Sequence, residues 1–246
     1  MGYLELASNK EKLMDKAKEY YNSIRANIQF SGSDIKVIAL TSVQPKEGKS
    51  TTSMSLAVSF ARAGYRTLLV DADTRNSVMM GSFKPDAPLK GLTDFLSGHA
   101  DLQTTISRTS VPNLTMIPSG QVPPNPTALF QSDNFKRMIE AVREHYDYVL
   151  IDTPPIGKVV DAAIIAQDCD ASIMITEAGV IRRRFIRKAI EQMEKSGAQF
   201  LGVILNKVDE KSENYGNYGS YGSYGDYGKP SSKDKSEHTS HLRRAK

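Results

Sequence analysis

The sequence is poor in the residues that build metal and redox centres. Its 246 residues include one cysteine, Cys169, no tryptophan and four histidines, His99, His145, His238 and His241. A single thiol excludes a disulfide framework and a cysteine-rich metal site. The histidines stand at no metal-ligand spacing. Cys169 reads as a small buried side chain, not a nucleophile. Long apolar runs are also missing. Stretches such as 35–43 and 200–205 fall well short of the ~20 residues a membrane span requires. Residues 1–12 are charged and lack the apolar core of a secretory signal, so the cytoplasm is the expected compartment. There is little net charge outside the C-terminus. The chain carries +4, and residues 229–246 alone hold six basic and two acidic residues. The body is therefore formally neutral, and no nucleic-acid partner is expected. The basic end fits solubility or an anionic membrane surface as well as it fits nucleic acid.

Hydrophobic periodicity orders the rest. Over 9–28, Leu13, Ala17, Tyr20, Tyr21, Ile24 and Ile28 recur near a 3.6 period, which predicts a helix. Ser31-Gly32-Ser33-Asp34 ends it. Beyond, short apolar runs at 36–41, 67–71, 114–117, 148–152, 171–176 and 200–206 read as strands. Helical patterns lie at 49–63, 127–144, 160–167 and 181–196, with a short helix near 92–97. Continuous apolar runs indicate strands buried on both faces, as in a parallel sheet. The β-α-β-α rhythm predicts an α/β, doubly wound, mainly parallel sheet flanked by helices.

Three strand ends carry the candidate chemistry. The first strand runs into Pro45-Lys46-Glu47-Gly48-Lys49-Ser50-Thr51 before a helix. This is a phosphate loop, in which backbone N–H groups and a helix N-terminus attract phosphates. Lys49 would reach the β- and γ-phosphates and Ser50 would ligate Mg²⁺. The glycine usual five residues before Gly48 is replaced by Val43. The second strand ends in Asp71-Ala72-Asp73-Thr74-Arg75, whose two carboxylates at i and i+2 point the same way. The third, Tyr148 to Ile151, ends in Asp152-Thr153-Pro154-Pro155, with Asp152 placed for the Mg²⁺ shell. Lys49, Asp71, Asp73 and Asp152 together form a phosphoryl-transfer set on one sheet edge. Arg182-Arg183-Arg184 opens a predicted helix. It reads either as a solvated basic face or as a contact with nucleotide, a neighbouring subunit or an acidic substrate.

Residues 215–228 repeat Tyr-Gly-x, placing Tyr215, Tyr218, Tyr221, Tyr224 and Tyr227 at a period of three. Almost no aliphatic residue accompanies them, so the segment cannot bury enough surface to offset its ordering entropy. Disorder is expected over 211–246.

These motifs, with Gly91-Leu92-Thr93-Asp94-Phe95-Leu96-Ser97-Gly98 and Pro123-Pro124-Asn125-Pro126, resemble the bacterial tyrosine kinases. The similarity is to the soluble CpsD/CapB-type kinases of capsule and exopolysaccharide systems. The resemblance implies a P-loop NTPase-like fold, ATP and Mg²⁺ as cofactors, and a metal site at Ser50, Asp71 and Asp152. It implies Asp71 as acceptor of the tyrosine proton and the five tail tyrosines as phosphoacceptors for a neighbouring copy. It also implies a ring-like homo-oligomer, a transmembrane adaptor of the polysaccharide co-polymerase type, a cognate phosphatase, and peripheral attachment to the inner membrane face. The family's oligomerisation motif, Glu-x-x-Arg-x-x-Arg, is met at Glu19 and Arg25, with Asn22 in the middle. The expected organisation is an oligomerisation or docking helix over 1–34, the kinase domain over 35–210 and the tail. The alternatives are a MinD/ParA-like switch ATPase and a nucleotide-binding regulatory subunit. Gln44 stands where the first of these carries its signature lysine. Five phosphates would add roughly −7 to −10 charge to the tail.

Overall fold

The computed structural model describes residues 2–208. Its first elements are β1 (Tyr3–Leu6), α1 (Ser8–Lys16), α2 (Lys18–Ser31), β2 (Val37–Ser42), α3 (Lys49–Arg62) and β3 (Thr67–Asp71). A middle section holds β4 (Phe83–Pro85), α4 (Leu92–Leu96), α5 (Leu102–Thr105), β5 (Ser107–Thr109), β6 (Leu114–Ile117) and α6 (Pro126–Phe130). The last part comprises α7 (Asp133–His145), β7 (Tyr148–Asp152), α8 (Asp161–Ala166), β8 (Ala171–Glu177), α9 (Arg183–Glu194) and β9 (Gln199–Asn206).

The strands form one sheet in the order β4-β1-β5-β6-β3-β7-β2-β8-β9. From β6 to β9 every pairing is parallel, and β1–β4 and β5–β6 are antiparallel. The strand order reverses around β2, so the carboxyl ends of β2, β3 and β7 adjoin at a switch point, where open α/β sheets bind ligands. Successive residues of the central strands feed opposite faces. Val37 and Ala39 join one core, packed by Phe135, Met138, Ile165 and Met193, while Ile38 and Leu40 join the other, packed by Ile28, Met54 and Phe60. The unbroken apolar runs of the sequence are the consequence of this two-sided burial.

The central strands lie where the hydrophobic runs place them. The differences concern breaks and very short elements. The helix expected over 9–28 is two helices that meet at Ala17, whose φ of −100° and ψ of 10° leave the helical region. The helix expected over 127–144 is also two, because Ser132 takes extended backbone (φ −77°, ψ 156°) before α7. Strands β1, β4 and β5, three or four residues each, escaped the sequence reading. Runs of that length show too little alternation to define a period. The Tyr-Gly-x repeat and the rest of the tail lie outside the described residues.

Candidate active site

The phosphate loop leaves β2 at Ser42 and enters α3 at Lys49. Its turn needs unusual backbone: Gly48 lies at φ +90° and Lys46 at φ +71°. The glycine at 48 has a second cause. A Cβ there would stand 2.1 Å from the Asn206 amide nitrogen. Asn206 Nδ2 donates to the Glu47 carbonyl oxygen at 2.9 Å, and Lys207 Nζ donates to the Lys46 carbonyl oxygen at 2.9 Å. The buried Glu47 carboxylate accepts from Gln44 N at 2.5 Å, Thr176 Oγ1 at 2.8 Å and Glu177 N at 3.2 Å. The carboxyl ends of β8 and β9 therefore brace a loop that lacks its first glycine. Glu47 contributes backbone to the loop while its side chain is turned into the protein.

Lys49, the first residue of α3, is buried, and its ammonium lies 2.8 Å from Asp152 Oδ2 and 3.6 Å from Asp73 Oδ2. The Ser50 hydroxyl donates to the same Asp152 oxygen at 2.7 Å. Ser53, one helical turn after Lys49, donates to Asp152 Oδ1 at 2.8 Å. Asp71 is the register partner of Asp152 on the adjacent strand. Burial, and after it the charge of Asp152, push the Asp71 carboxyl up to about 7, against the pull of the Ser77 hydrogen bond and of Lys49. Two carboxylates this close in a dry site resist joint ionisation. Above them opens a cavity of about 470 Å³, lined by Pro45, Lys46, Gly48, Lys49, Ser50, Thr51, Asp73 and Arg75, among others. The volume is that of a small-molecule site.

The comparisons with known proteins decide what this site belongs to. A family model described as an AAA domain matches residues 35–194. The tyrosine-protein kinase CpsD of Streptococcus agalactiae serotype III is 59% identical over 216 residues, covering 88% of this chain and 93% of that protein. This chain is a member of the bacterial tyrosine kinase family, of the CpsD/CapB type. Two solved structures agree with its fold. The kinase domain of the Escherichia coli tyrosine kinase ETK superposes with a TM-score of 0.75 at 28% identity, covering 82% of the kinase described here and 80% of that chain. The chimerical protein CapA2B2 gives 0.74 at 34% identity, with 78% and 85% covered. The chain is thus a protein-tyrosine kinase that uses ATP on a P-loop NTPase-like fold.

Arg75, the last residue of the Asp71–Arg75 motif, is held by side chains that carry no signal in single-sequence motifs. Arg75 Nε donates to Asp161 Oδ2 at 2.6 Å, and its Nη2 reaches Thr127 Oγ1 at 3.1 Å. Thr127 donates in turn to Asp161 Oδ1 at 2.7 Å. Asp161 is fully buried at the start of α8, so this triad fixes a cation at the cavity wall. Asn206, Lys207, Thr176 and Asp161 come from distant sequence and meet only in the folded sheet. Ser53 was open to detection, since position i+4 on a helix shares a face with Lys49.

Elsewhere in the kinase, Arg25 Nη1 donates to the Ser59 carbonyl oxygen at 2.8 Å and to Ser59 Oγ at 3.3 Å, and Ser59 Oγ donates to Asn22 Oδ1 at 3.0 Å. Arg25 and Asn22 thus meet α3 of the same chain, while Glu19 is exposed on α2. Tyr215, Tyr218, Tyr221, Tyr224 and Tyr227 lie outside the described residues. Among the described residues no helix is long and apolar enough to cross a membrane.

Proposed function

We propose that the kinase transfers the γ-phosphoryl group of ATP to Tyr215, Tyr218, Tyr221, Tyr224 and Tyr227 of a second copy, within a ring-like oligomer. A transmembrane adaptor controls this at the inner membrane face, a cognate phosphatase reverses it, and the cycle regulates capsule or exopolysaccharide synthesis. The observation that carries the reading is the convergence of Lys49, Ser50 and Ser53 on Asp152, beside the protonatable Asp71.

The residues fit Mg-ATP. Gly48 takes the left-handed backbone the loop turn needs, the N-terminus of α3 offers N–H groups, and Ser50, Asp71 and Asp152 present the oxygen donors that Mg²⁺ prefers. When bound, the ion neutralises charge on the phosphates. Lys49 would exchange its carboxylate partners for the β- and γ-phosphate oxygens. Arg75, held by Asp161 and Thr127, adds a fixed positive charge at the wall. Asp71, at the strand end beside Asp152, would take the proton of the attacking tyrosine. Tyrosines three residues apart sit ~10 Å from one another on extended chain, which allows each to enter separately.

Mixing two variants tests transfer between copies. One carries Lys49→Met with an intact tail, and the other an intact site with the five tail tyrosines changed to Phe. The proposal expects phosphotyrosine on the Lys49→Met tail. Its absence from the mixture, where wild type labels itself, would place transfer within one chain. Phosphate release without phosphotyrosine, even with the adaptor's cytoplasmic segment present, would favour the switch-ATPase reading.

A further inference from the structure

Five cations fall within seven positions where α9 begins: Arg182, Arg183, Arg184, Arg187 and Lys188. All five are exposed, and none joins the ion pairs found among the described residues. By contrast Arg62, Arg66, Arg75 and Arg143 each face a carboxylate. The position is unfavourable for the helix itself. Its first turn holds no acidic residue, and Arg182 at the cap makes no side-chain hydrogen bond. Cations there oppose the positive end of the helix dipole and repel one another. A bound anion would relieve both effects at once.

We propose that this face of α9 is a docking site for phosphotyrosine carried by the Tyr-Gly-x repeat of residues 215–228. The proposal rests on the reading of those tyrosines as phosphoacceptors. Charge is the first argument for this occupant. Each phosphorylation adds about −1.5 to −2 to a stretch, 209–228, that already has four acidic residues and one lysine. Composition is the second. Four of the five cations are arginine, whose planar fork pairs with phosphate oxygens two at a time. The path of the chain is the third. Lys207 Nζ is 2.8 Å from Glu177 Oε2, so the end of β9 stands beside the strand end that leads into α9. Tyr215 follows Val208 by seven residues, a reach of ~23 Å when extended.

An anionic bilayer is the competing class of partner. Val180 and Phe185 are exposed beside the cations, and the Arg184 guanidinium sits over one face of the Phe185 ring at 4.8 Å. Two such side chains are a small apolar surface to insert. A phosphorylated repeat seated on α9 would be withheld from the Lys49 cavity, so the product would be stored away from the site.

The test uses the full-length chain with its five tail tyrosines changed to Phe and saturated with a non-hydrolysable ATP analogue. Fluorescence anisotropy follows a synthetic peptide of residues 211–228, either unphosphorylated or phosphorylated at Tyr218, Tyr221 and Tyr224. The phosphorylated peptide is expected to bind at least tenfold more tightly. That preference should vanish in the Arg182→Gln, Arg183→Gln, Arg184→Gln, Arg187→Gln variant, and a fourfold Arg→Lys variant should restore it in part. Thermal melting checks that the variants fold. Equal affinity for the two peptides, or unchanged binding by the Gln variant, overturns the proposal. Binding to phosphatidylglycerol vesicles without phosphopeptide binding overturns it in favour of a lipid surface. The peptide is synthetic, so a chain that fails to autophosphorylate would refute the kinase reading of the tail without touching this result.

Discussion

Asp71 and Asp152 face each other across the parallel pair of β3 and β7, each the last residue of its strand and each fully buried. The pairing has a thermodynamic cost that depends on pH. Asp71 is held up to about 7 in the fold by burial and by Asp152, against about 3.9 in the unfolded chain. The proton it binds therefore stabilises the fold fully below about pH 4, and that stability is lost as pH rises through about 7. Asp71→Asn should leave the melting temperature of the nucleotide- and metal-free chain nearly unchanged at pH 5. At pH 8 it should raise it by several degrees while abolishing phosphotyrosine formation. Melting curves at the two pH values, with chelator present, check this. Equal shifts at both would show that Asp71 is ionised throughout.

Lys49 has a structural duty beside the catalytic one proposed for it. It is the cation between Asp152 and Asp73, and breaking a buried pair costs about 3–5 kcal/mol. Lys49→Met should therefore be both inactive and less stable, with a lower midpoint in urea. Adding Asp152→Asn should restore much of the stability and none of the activity. Urea titrations of the single and double variants decide it.

The brace from β9 predicts an effect on nucleotide affinity. Asn206→Ala removes the donor to the Glu47 carbonyl oxygen and should weaken ATP binding about tenfold, equivalent to ~1.4 kcal/mol. Calorimetric titration measures it. Gly48→Ala meets both a positive φ and the Asn206 amide, so it should bind nucleotide worse still. Combining it with Asn206→Ala should recover only part, since the backbone strain remains.

Arg75 owes its orientation to Asp161 and Thr127. Asp161→Asn keeps the shape but removes the charge that holds the guanidinium, and kcat should fall more than Thr127→Val lowers it. Phosphorylation of a tyrosine peptide at saturating ATP provides the readout. Equal effects would mean that the hydroxyl, not the carboxylate, sets the orientation.

Much of this architecture is legible in the sequence, for a specific reason. Strands such as Val37–Ser42 are buried on both faces, so every residue reports the same environment and the run stands out. The P-loop, Asp71 and Asp152 are legible because strand ends place them on one edge by topology alone. What escaped depends on contacts between distant segments. Asn206 and Lys207 look like the polar end of an apolar strand, and only the fold brings them to the loop. Asp161 looks like a helix-start carboxylate until Arg75 is seen against it. The helix break at Ala17 carries no proline, glycine or capping residue, so no local signal marks it, whereas Ser132 and Asp133 are the cap and acidic first-turn residue that open α7.

The central claim is that Lys49-dependent chemistry puts phosphate on the Tyr-Gly-x repeat. The most direct measurement is mass-spectrometric mapping of phosphotyrosine after incubation with Mg-ATP and the adaptor's cytoplasmic segment. Wild type is compared with Lys49→Met and with the chain whose five tail tyrosines are Phe. The account predicts phosphate on Tyr215, Tyr218, Tyr221, Tyr224 and Tyr227 in wild type and none in either variant. Phosphotyrosine confined to residues outside the repeat, or undiminished in Lys49→Met, would contradict it.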